Sequence, residues 1–323
     1  MSSTVDPTIN TILQQVSIYY GIPAFFLGVI GTFFNVLIFL TSGLVRQKSS
    51  VFYLTIMSMF DFGRLWSNTL IHILHYGFDI HLYLFFPYFC KIRVCVLTIC
   101  MLGSMTCLCL AVFDQFCATS SSPFWQQFCN IKIAHGLIKF FVFIYILHAI
   151  PYVVYFNMIT SPSTNKTICQ ITNNRFIQYH TYGYFLFLNH FIPCLTALFS
   201  LLAYRNTKML SQGRKILFRH ELDRQFAKMI LTHVLIYFLT FLPYAMQSIY
   251  ALIVFDRNEP MFRAQIEFRS IITLFISVLS FAVSLFALRI KNALIMNLFS
   301  LEFILYLHIR LEIYSSTFLF YSL

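Results

Sequence analysis

The amino-acid sequence predicts an all-α membrane protein, a seven-transmembrane helix bundle with its N-terminus outside the cell and its C-terminus inside. Composition is the first reason: 59 % of the 323 residues are apolar and only 10 % are charged, whereas soluble globular proteins carry about 25 % charged residues. A soluble chain of this length could not cover its surface with so few charges. The 39 Phe and 19 Tyr residues also exclude a disordered chain.

Apolar stretches long enough to cross a bilayer recur along the chain, and they are the second reason, because a transmembrane helix needs about 20 residues. Strands are excluded, since the apolar runs are long and do not alternate with polar residues. Seven spans are predicted, at residues 17–41, 52–76, 88–113, 131–156, 181–204, 226–254 and 268–288. The chain therefore divides into a short extracellular N-terminus (1–16), a transmembrane domain (17–288) and a cytoplasmic or membrane-surface C-terminal helix (289–323).

The distribution of Lys and Arg predicts the orientation. With the N-terminus outside, the inner loops and adjoining span ends hold thirteen of the 22 Lys and Arg residues, and the outer ones hold seven. An excess of basic residues is typical of cytoplasmic loops. The net charge of +11 is thus attributed to orientation, to contact with membrane lipids and to a partner-facing cytoplasmic loop, and no nucleic-acid partner is predicted. An N-glycosylation pattern at Asn165 falls in a loop assigned to the outside, which agrees with this orientation.

Two of the nine cysteines differ from the others in position. Cys90 opens the third span and Cys169 lies in the loop before the fifth, so both are placed at the outer face, where the milieu is oxidising. A disulfide bond between them is predicted, and it would tie this loop to the helix bundle. The other cysteines are interpreted mostly as small buried apolar residues. Their spacing matches no metal site, and no cofactor is predicted.

Seven spans, an outer N-terminus and these two cysteines resemble the rhodopsin-like (class A) G-protein-coupled receptors. Asn35 stands where that family has an Asn in span one, and Asp61 stands where it has a buried Asp in span two. Asp114-Gln115-Phe116 follows Cys90 at the separation that the family keeps between its Cys and its Asp-Arg-Tyr motif. The resemblance covers nearly the whole chain.

Two later spans add to the resemblance, and several positions depart from it. Span five contains Pro193, and span six contains Phe241-Leu242-Pro243-Tyr244, similar to the family's Cys-Trp-x-Pro with Phe241 in place of Trp. Gln115 replaces the Arg of Asp-Arg-Tyr, the Trp of span four is missing, and the Asn-Pro-x-x-Tyr of span seven is absent. The sequence therefore resembles a divergent, orphan member of the family.

Ionisable residues within a span are costly and usually functional. Asp61 and Arg64 are three residues apart, so they can pair on one face of a helix, either as a structural ion pair or as part of an ion-linked switch. The resemblance implies that Asn35, Asp61 and Ser104 form a polar core, which would hold a sodium ion in the family. Arg64 would compete with that cation, so a buried polar network and a sodium site both remain open.

The resemblance also assigns an inner face for a heterotrimeric G protein. Its residues are Asp114, Gln115, Phe116, Pro123, Phe124 and Asp223, next to a basic loop at 205–228. Pro193 and Pro243 either kink their helices for packing only or act as hinges, with Phe241 as a ring that changes rotamer. Because Gln115 carries no charge, coupling could be weaker, more basal or lost.

The predicted function is that of a plasma-membrane receptor that responds to an extracellular ligand. Leu97 occupies the position where amine receptors place an Asp, so a peptide is the first expectation for the ligand and a small polar or environmental chemical the second. A transporter or channel is the alternative class, although the chain has only ten Gly and no internal repeat. A decoy receptor, which binds a ligand but signals little, remains within the receptor prediction. No enzyme is predicted, because the His residues lack metal-ligand or triad spacing.

Overall fold

A computed structural model describes residues 7–41, 48–80, 82, 88–160, 167–212, 218–253, 269, 271–272 and 274–276. Nearly all of these residues are helical. By length and composition, five helical stretches could cross a membrane: Thr11–Leu37, Phe89–Thr119, Ile131–Tyr155, Asn174–Met209 and Ile230–Gln247. The prediction of a helical membrane protein is thereby confirmed.

The first two helices contain short π-helical segments. Helix α1 consists of Pro7–Val16, the π-helical Ser17–Gly21, and Ile22–Thr41. It begins ahead of the predicted start at residue 17, and Leu13 of this added part is buried. Helix α2 consists of Ser49–Arg64, the π-helical Leu65–Thr69, Leu70–His72, and the π-helical Ile73–Gly77. Although α2 is long enough to span a membrane, it is not among the five candidate membrane-spanning helices, because its polar residues lower its mean hydropathy.

The remaining elements follow in chain order. They are α3 (Phe89–Thr119), the short α4 (Pro123–Gln126), α5 (Ile131–Tyr155), β1 (Phe156–Thr160) and β2 (Thr167–Ile171). Helix α6 consists of Asn174–Gln178, the π-helical Tyr179–Leu188, and Asn189–Gln212, and α7 is Phe218–Ile253. The two strands form an antiparallel hairpin between α5 and α6. Asn130 and Asn173 cap the first turns of α5 and α6 by accepting hydrogen bonds from backbone N–H groups.

Helix α3 is the centre of the described bundle. It packs against α2, α5, α6 and α7, and most of its residues between Thr98 and Thr119 are buried. Helix α5, in contrast, exposes large apolar side chains such as Phe140, Phe143 and Leu147. An apolar surface of this kind is stable in lipid and costly in water. The burial pattern thus separates a bundle interior from a lipid-facing surface.

A few residues of the predicted seventh span are described, and they pack against the first two helices. Ile271 and Phe275 belong to one apolar cluster with Leu13 and Phe25 of α1. A Cβ atom on Gly21 would come within 2.8 Å of the Phe275 ring, so this contact requires glycine. Most of residues 268–288, together with Asn165 and residues 289–323, lies outside the described residues. Asp223 belongs to α7, in a part where only the backbone is described.

Candidate functional site

The two ends of helix α3 carry different candidate residues. At one end, Cys90 forms a disulfide bond with Cys169, with the two Cα atoms 5.9 Å apart. Cys169 lies in β2 opposite Met158 of β1. The structure therefore contains the disulfide that the sequence predicts, and this bond ties the hairpin to the end of α3. We call this end of the bundle the disulfide end.

Near the hairpin, two histidines and three tyrosines of α5 and α6 form a group that we call the Tyr–His cluster: His148, Tyr152, Tyr179, His180 and Tyr184. Tyr152 Oη lies 3.0 Å from His180 Nδ1, and Tyr179 Oη lies 3.0 Å from His148 Nδ1. Both imidazole rings stack on the ring of Tyr184, at interplanar angles of 28° and 20°. Because α5 and α6 contain no Asp or Glu, no carboxylate of either helix can balance a protonated imidazole here.

The Tyr–His cluster joins α5 to α6 where α6 is π-helical over Tyr179–Leu188. Long π-helical segments are rare, and short ones are frequent at functional sites. Tyr184 also donates from Oη to Met101 Sδ of α3 at 3.5 Å. Sequence reasoning missed this cluster because it treated the His residues as scattered. The i, i+4 spacing of His148 with Tyr152 and of His180 with Tyr184 is the signal that was available.

The middle of the bundle contains two contacting residues of the predicted polar core, Asp61 and Ser104. Ser104 of α3 donates a hydrogen bond from Oγ to Asp61 Oδ1 of α2 at 2.5 Å. Arg64 is 4 % exposed and close enough to Asp61 to act on it electrostatically. Asn35 is buried on α1. The structure thus brings Asp61 and Ser104 into contact and places Arg64 within electrostatic reach of Asp61. A cation at Asp61 would therefore compete with the positive charge of Arg64.

Tyr237 of α7 extends this core toward the predicted hinge, and the sequence did not single it out. It lies within electrostatic reach of both Arg64 and Asp61. Its Oη atom is buried and has no hydrogen-bond partner among the described residues. Its ring stacks on Phe241, with centroids 5.2 Å apart and planes 10° apart. The ring predicted to act at the hinge therefore contacts a residue beside the buried charges.

Both proline hinge candidates lie inside helices that continue past them, Pro193 in α6 and Pro243 in α7. A proline removes the hydrogen bond to the carbonyl four residues earlier. For Pro193 that carbonyl belongs to Asn189, which is the first residue after the π-helical segment. The backbone of α6 therefore has two consecutive departures from regular α-helical bonding at this point.

Asp114 and Gln115, at the opposite end of α3, bind the first residues of α2. Ser49 Oγ donates to Asp114 Oδ1 at 2.5 Å, and Gln115 Nε2 donates to Ser50 Oγ at 2.9 Å. The residue before α2, Lys48, provides no side-chain cap. A carboxylate at a helix N-terminus stabilises the unpaired N–H groups and the positive end of the helix dipole. Asp114 thus caps α2 from a neighbouring helix.

Phe116, the third residue of the triplet, belongs to an aromatic group that anchors the short helix α4. Its ring centroid lies 5.4 Å from that of Trp125 on α4 and 6.1 Å from that of Phe199 on α6. Pro123 begins α4, where its missing N–H costs nothing. Phe124 is 60 % exposed. Anchoring by Trp125 therefore presents Phe124 to the surroundings beside the triplet end of α3.

Cys129 holds the segment after α4 against α3. Its Sγ atom donates to the backbone oxygen of Asp114 at 3.3 Å. A hydrogen bond with Cys117, together with burial, raises the pKa of the Cys129 thiol. The thiol therefore stays protonated at neutral pH and keeps the proton that it donates. Within the described part of the chain, no group of three or more His, Cys, Asp or Glu residues could hold a metal ion.

The fold and these contacts define a helical membrane protein whose central helix carries a disulfide-bonded hairpin at one end and a buried polar pair at the other. No protein-family model matches this chain, and no curated protein matches it significantly. The contacts of the residues themselves are therefore the basis for assigning a function.

Proposed function

We propose that this protein is a receptor of the rhodopsin-like kind, which binds a ligand outside the cell and activates a heterotrimeric G protein inside. The observation that carries the proposal is the arrangement along α3. The disulfide to Cys169 is at one end, the Ser104–Asp61 hydrogen bond is midway, and the triplet from Asp114 to Phe116 is at the other end. In the resembled family these features mark the ligand side, the core and the G-protein side.

In this proposal the bundle has seven spans in the plasma membrane, with the disulfide end outside. Helix α2 is one of them although it carries charges. Its Asp61 and Arg64 are 3 % and 4 % exposed, so both point into protein rather than lipid, which is the arrangement that makes intramembrane charges tolerable. The seventh span contains residues 268–288, and Asn165 lies on the outside, where it is available for glycosylation.

The ligand binds at the disulfide end. Leu97 provides no anion for an amine there, so the proposed ligand is a peptide or a small polar molecule. Binding moves α6 and α7 about Pro193 and Pro243. Phe241 transmits the change to the polar core, because its ring stacks on Tyr237 beside Asp61 and Arg64.

The G protein binds at the triplet end. Phe124 supplies an exposed apolar contact on an anchored helix. The basic segment at 205–228, which includes the last residues of α6 and the first residues of α7, contacts anionic lipid and the partner. Aromatic side chains are enriched among the residues that dominate protein interfaces. The proposed docking face therefore combines an apolar contact at Phe124 with the basic residues of segment 205–228.

A decoy receptor, which binds its ligand without normal coupling, is the second candidate. One observation favours it: Gln115 is buried and hydrogen-bonded to Ser50 of α2, whereas the family's Arg at this place contacts the G protein in the active state. A side chain held against α2 is not released simply by a movement of α7.

Replacing Phe124 by alanine is expected to lower G-protein dissociation by about tenfold at equal surface amounts of protein, since an interface hot spot contributes more than roughly 1 kcal/mol. Energy transfer between labelled G-protein subunits measures this in living cells. Phe143→Ala is the matched control, because Phe143 is similarly exposed, at 61 %, but lies on the apolar surface of α5.

The same assay separates the two candidates. If the unmodified protein is silent and Gln115→Arg signals, the decoy candidate is correct. If neither signals at normal surface amounts, coupling itself is contradicted. Signalling by the unmodified protein that Phe124→Ala does not reduce would contradict the proposed docking face.

A further inference from the structure

Lys139 is a lysine within a membrane-spanning helix, and it faces lipid rather than protein. It lies in the third turn of α5, which begins at Ile131, so it is about 12 Å along the helix axis at roughly 1.5 Å per residue. Its side chain is exposed, like that of its neighbour Phe140 on the apolar surface of α5. A charge in hydrocarbon is costly unless it is paired or reaches the membrane surface. Lys139 therefore requires an anionic partner near that surface.

The protein does not supply this partner. Helix α5 contains no Asp or Glu, and among the described residues the Lys139 ammonium has no hydrogen bond or ion pair. Arg64 on α2 differs, because it is 4 % exposed and lies near Asp61. The partner of Lys139 must therefore come from the membrane.

The surface between Lys139 and the start of α5 is open and carries a fixed imidazole. A helical side chain leans toward the N-terminus of its helix, which directs the stem of Lys139 over Gly136. A Cβ atom on Gly136 would meet nothing within 4 Å. The exposed ring of His135 stacks on Phe52 of α2, with centroids 4.2 Å apart, and its Nδ1 donates to the backbone oxygen of Ile131 at 2.7 Å. These contacts leave His135 Nε2 for a ligand.

Lys132 adds a second cation nearer the membrane surface. It is exposed in the first turn of α5 and lies roughly 10 Å from Lys139 along the helix axis. The two cations are therefore at different depths, with His135 between them. Every phospholipid has a phosphodiester at the base of its headgroup, but only some headgroups carry a further phosphate. A choline headgroup would place a positive charge near Lys132, so charge complementarity favours a lipid with phosphates at two depths.

We propose that this surface of α5 binds a phospholipid whose inositol headgroup carries a phosphate monoester. The phosphodiester pairs with Lys139, the phosphate monoester pairs with Lys132 and His135, and the acyl chains lie along the apolar surface at Phe140. Lysine binds phosphate as a point charge, and basic groups at a membrane surface attract phosphorylated inositol lipids. The proposed receptor orientation places this site in the cytoplasmic leaflet, but lipid binding itself does not depend on coupling to a G protein.

The test uses the full-length protein in detergent micelles and native mass spectrometry, which counts bound lipid molecules. Phosphatidylinositol monophosphate should bind more tightly than phosphatidylserine or phosphatidylcholine. Lys132→Gln and Lys139→Gln should each weaken its binding about fivefold, the usual contribution of one basic residue at a membrane surface, and Lys139→Arg should retain most of it. Lys91→Gln is the matched control, because Lys91 lies in the first turn of α3 at the disulfide end.

Gly136 provides a variant that changes no charge. Gly136→Phe fills the open surface beneath Lys139 and should weaken binding about fivefold or more, whereas Gly136→Ala should leave it unchanged. The space around Gly136 is compatible with folding of both variants. Unchanged binding to a protein with both Lys132→Gln and Lys139→Gln would overturn the proposal. So would an equal loss in Lys91→Gln, phosphatidylserine binding as tight as that of the inositol lipid, or equal competition by an inositol phosphate without acyl chains.

Discussion

Replacing Cys169 by serine is expected to remove most of the folded protein from the cell surface and to lower its thermal midpoint in detergent by roughly 10 °C. The bond between Cys90 and Cys169 closes a loop over a sequence separation of 79 residues. A disulfide that closes a loop of this length stabilises by about 4–5 kcal/mol in the chain-entropy description, and 1 kcal/mol corresponds to roughly 2–4 °C in larger domains. The loss also frees the hairpin from α3.

Cys90→Ser should have the same effect, and the double variant should be no worse than either single one, because all three lack the same bond. Cys194→Ser is the matched control, since Cys194 is a free, exposed cysteine on α6. A Cys169→Ser protein with an unchanged midpoint would show that the hairpin is held by other contacts.

Replacing Asp61 by alanine is the second change with a large expected effect, a loss of roughly 3–5 kcal/mol in unfolding free energy, typical of breaking a buried charge pair from one side. Ser104 loses its acceptor, and Arg64 loses a nearby negative charge. Ser104→Ala should cost less, about 1.5–3 kcal/mol, because it removes one hydrogen bond to a charged group. Chemical or thermal unfolding in detergent shows which of the two variants loses more unfolding free energy.

A double-mutant cycle with Asp61→Asn and Arg64→Gln tests whether the two charges act together. The double variant should be more stable than the sum of the single losses predicts, by about 0.5–3 kcal/mol. Strictly additive losses would contradict the pairing. The ion-linked alternative makes a different prediction. Replacing choline chloride in the buffer by sodium chloride at constant ionic strength should raise the thermal midpoint of the unmodified protein but not that of Asp61→Asn.

The sequence predicted those parts of the fold that depend on apolar length. The fourth span was predicted at residues 131–156, and α5 is Ile131–Tyr155, because an uninterrupted apolar run needs no tertiary information. Helices α1 and α6 begin earlier than predicted, since their first turns are amphipathic rather than apolar. Strands β1 and β2 were placed in a loop, although five-residue segments such as Thr167–Ile171 have β-branched residues that favour strands.

The contacts of the candidate site were predicted where the positions of residues in the sequence indicate them. They were missed where they depend only on how the helices pack. The positions of Cys90 and Cys169 predicted their bond. The resemblance predicted the proximity of Asp61 and Ser104. The hydrogen bonds that join Ser49 to Asp114 and Ser50 to Gln115 each connect residues 65 positions apart in the sequence. No local sequence pattern indicates them. The π-helical segments were also missed, because the apolar periodicity of a single turn cannot distinguish them from an α-helix.

The membrane topology of the two termini tests the receptor proposal most directly. An epitope added to the N-terminus should be labelled by antibody on intact cells, and one added to the C-terminus should be labelled only after the plasma membrane is permeabilised. This result follows from seven spans with the N-terminus outside. An N-terminus labelled only after permeabilisation, or two termini on the same side, would contradict the proposal.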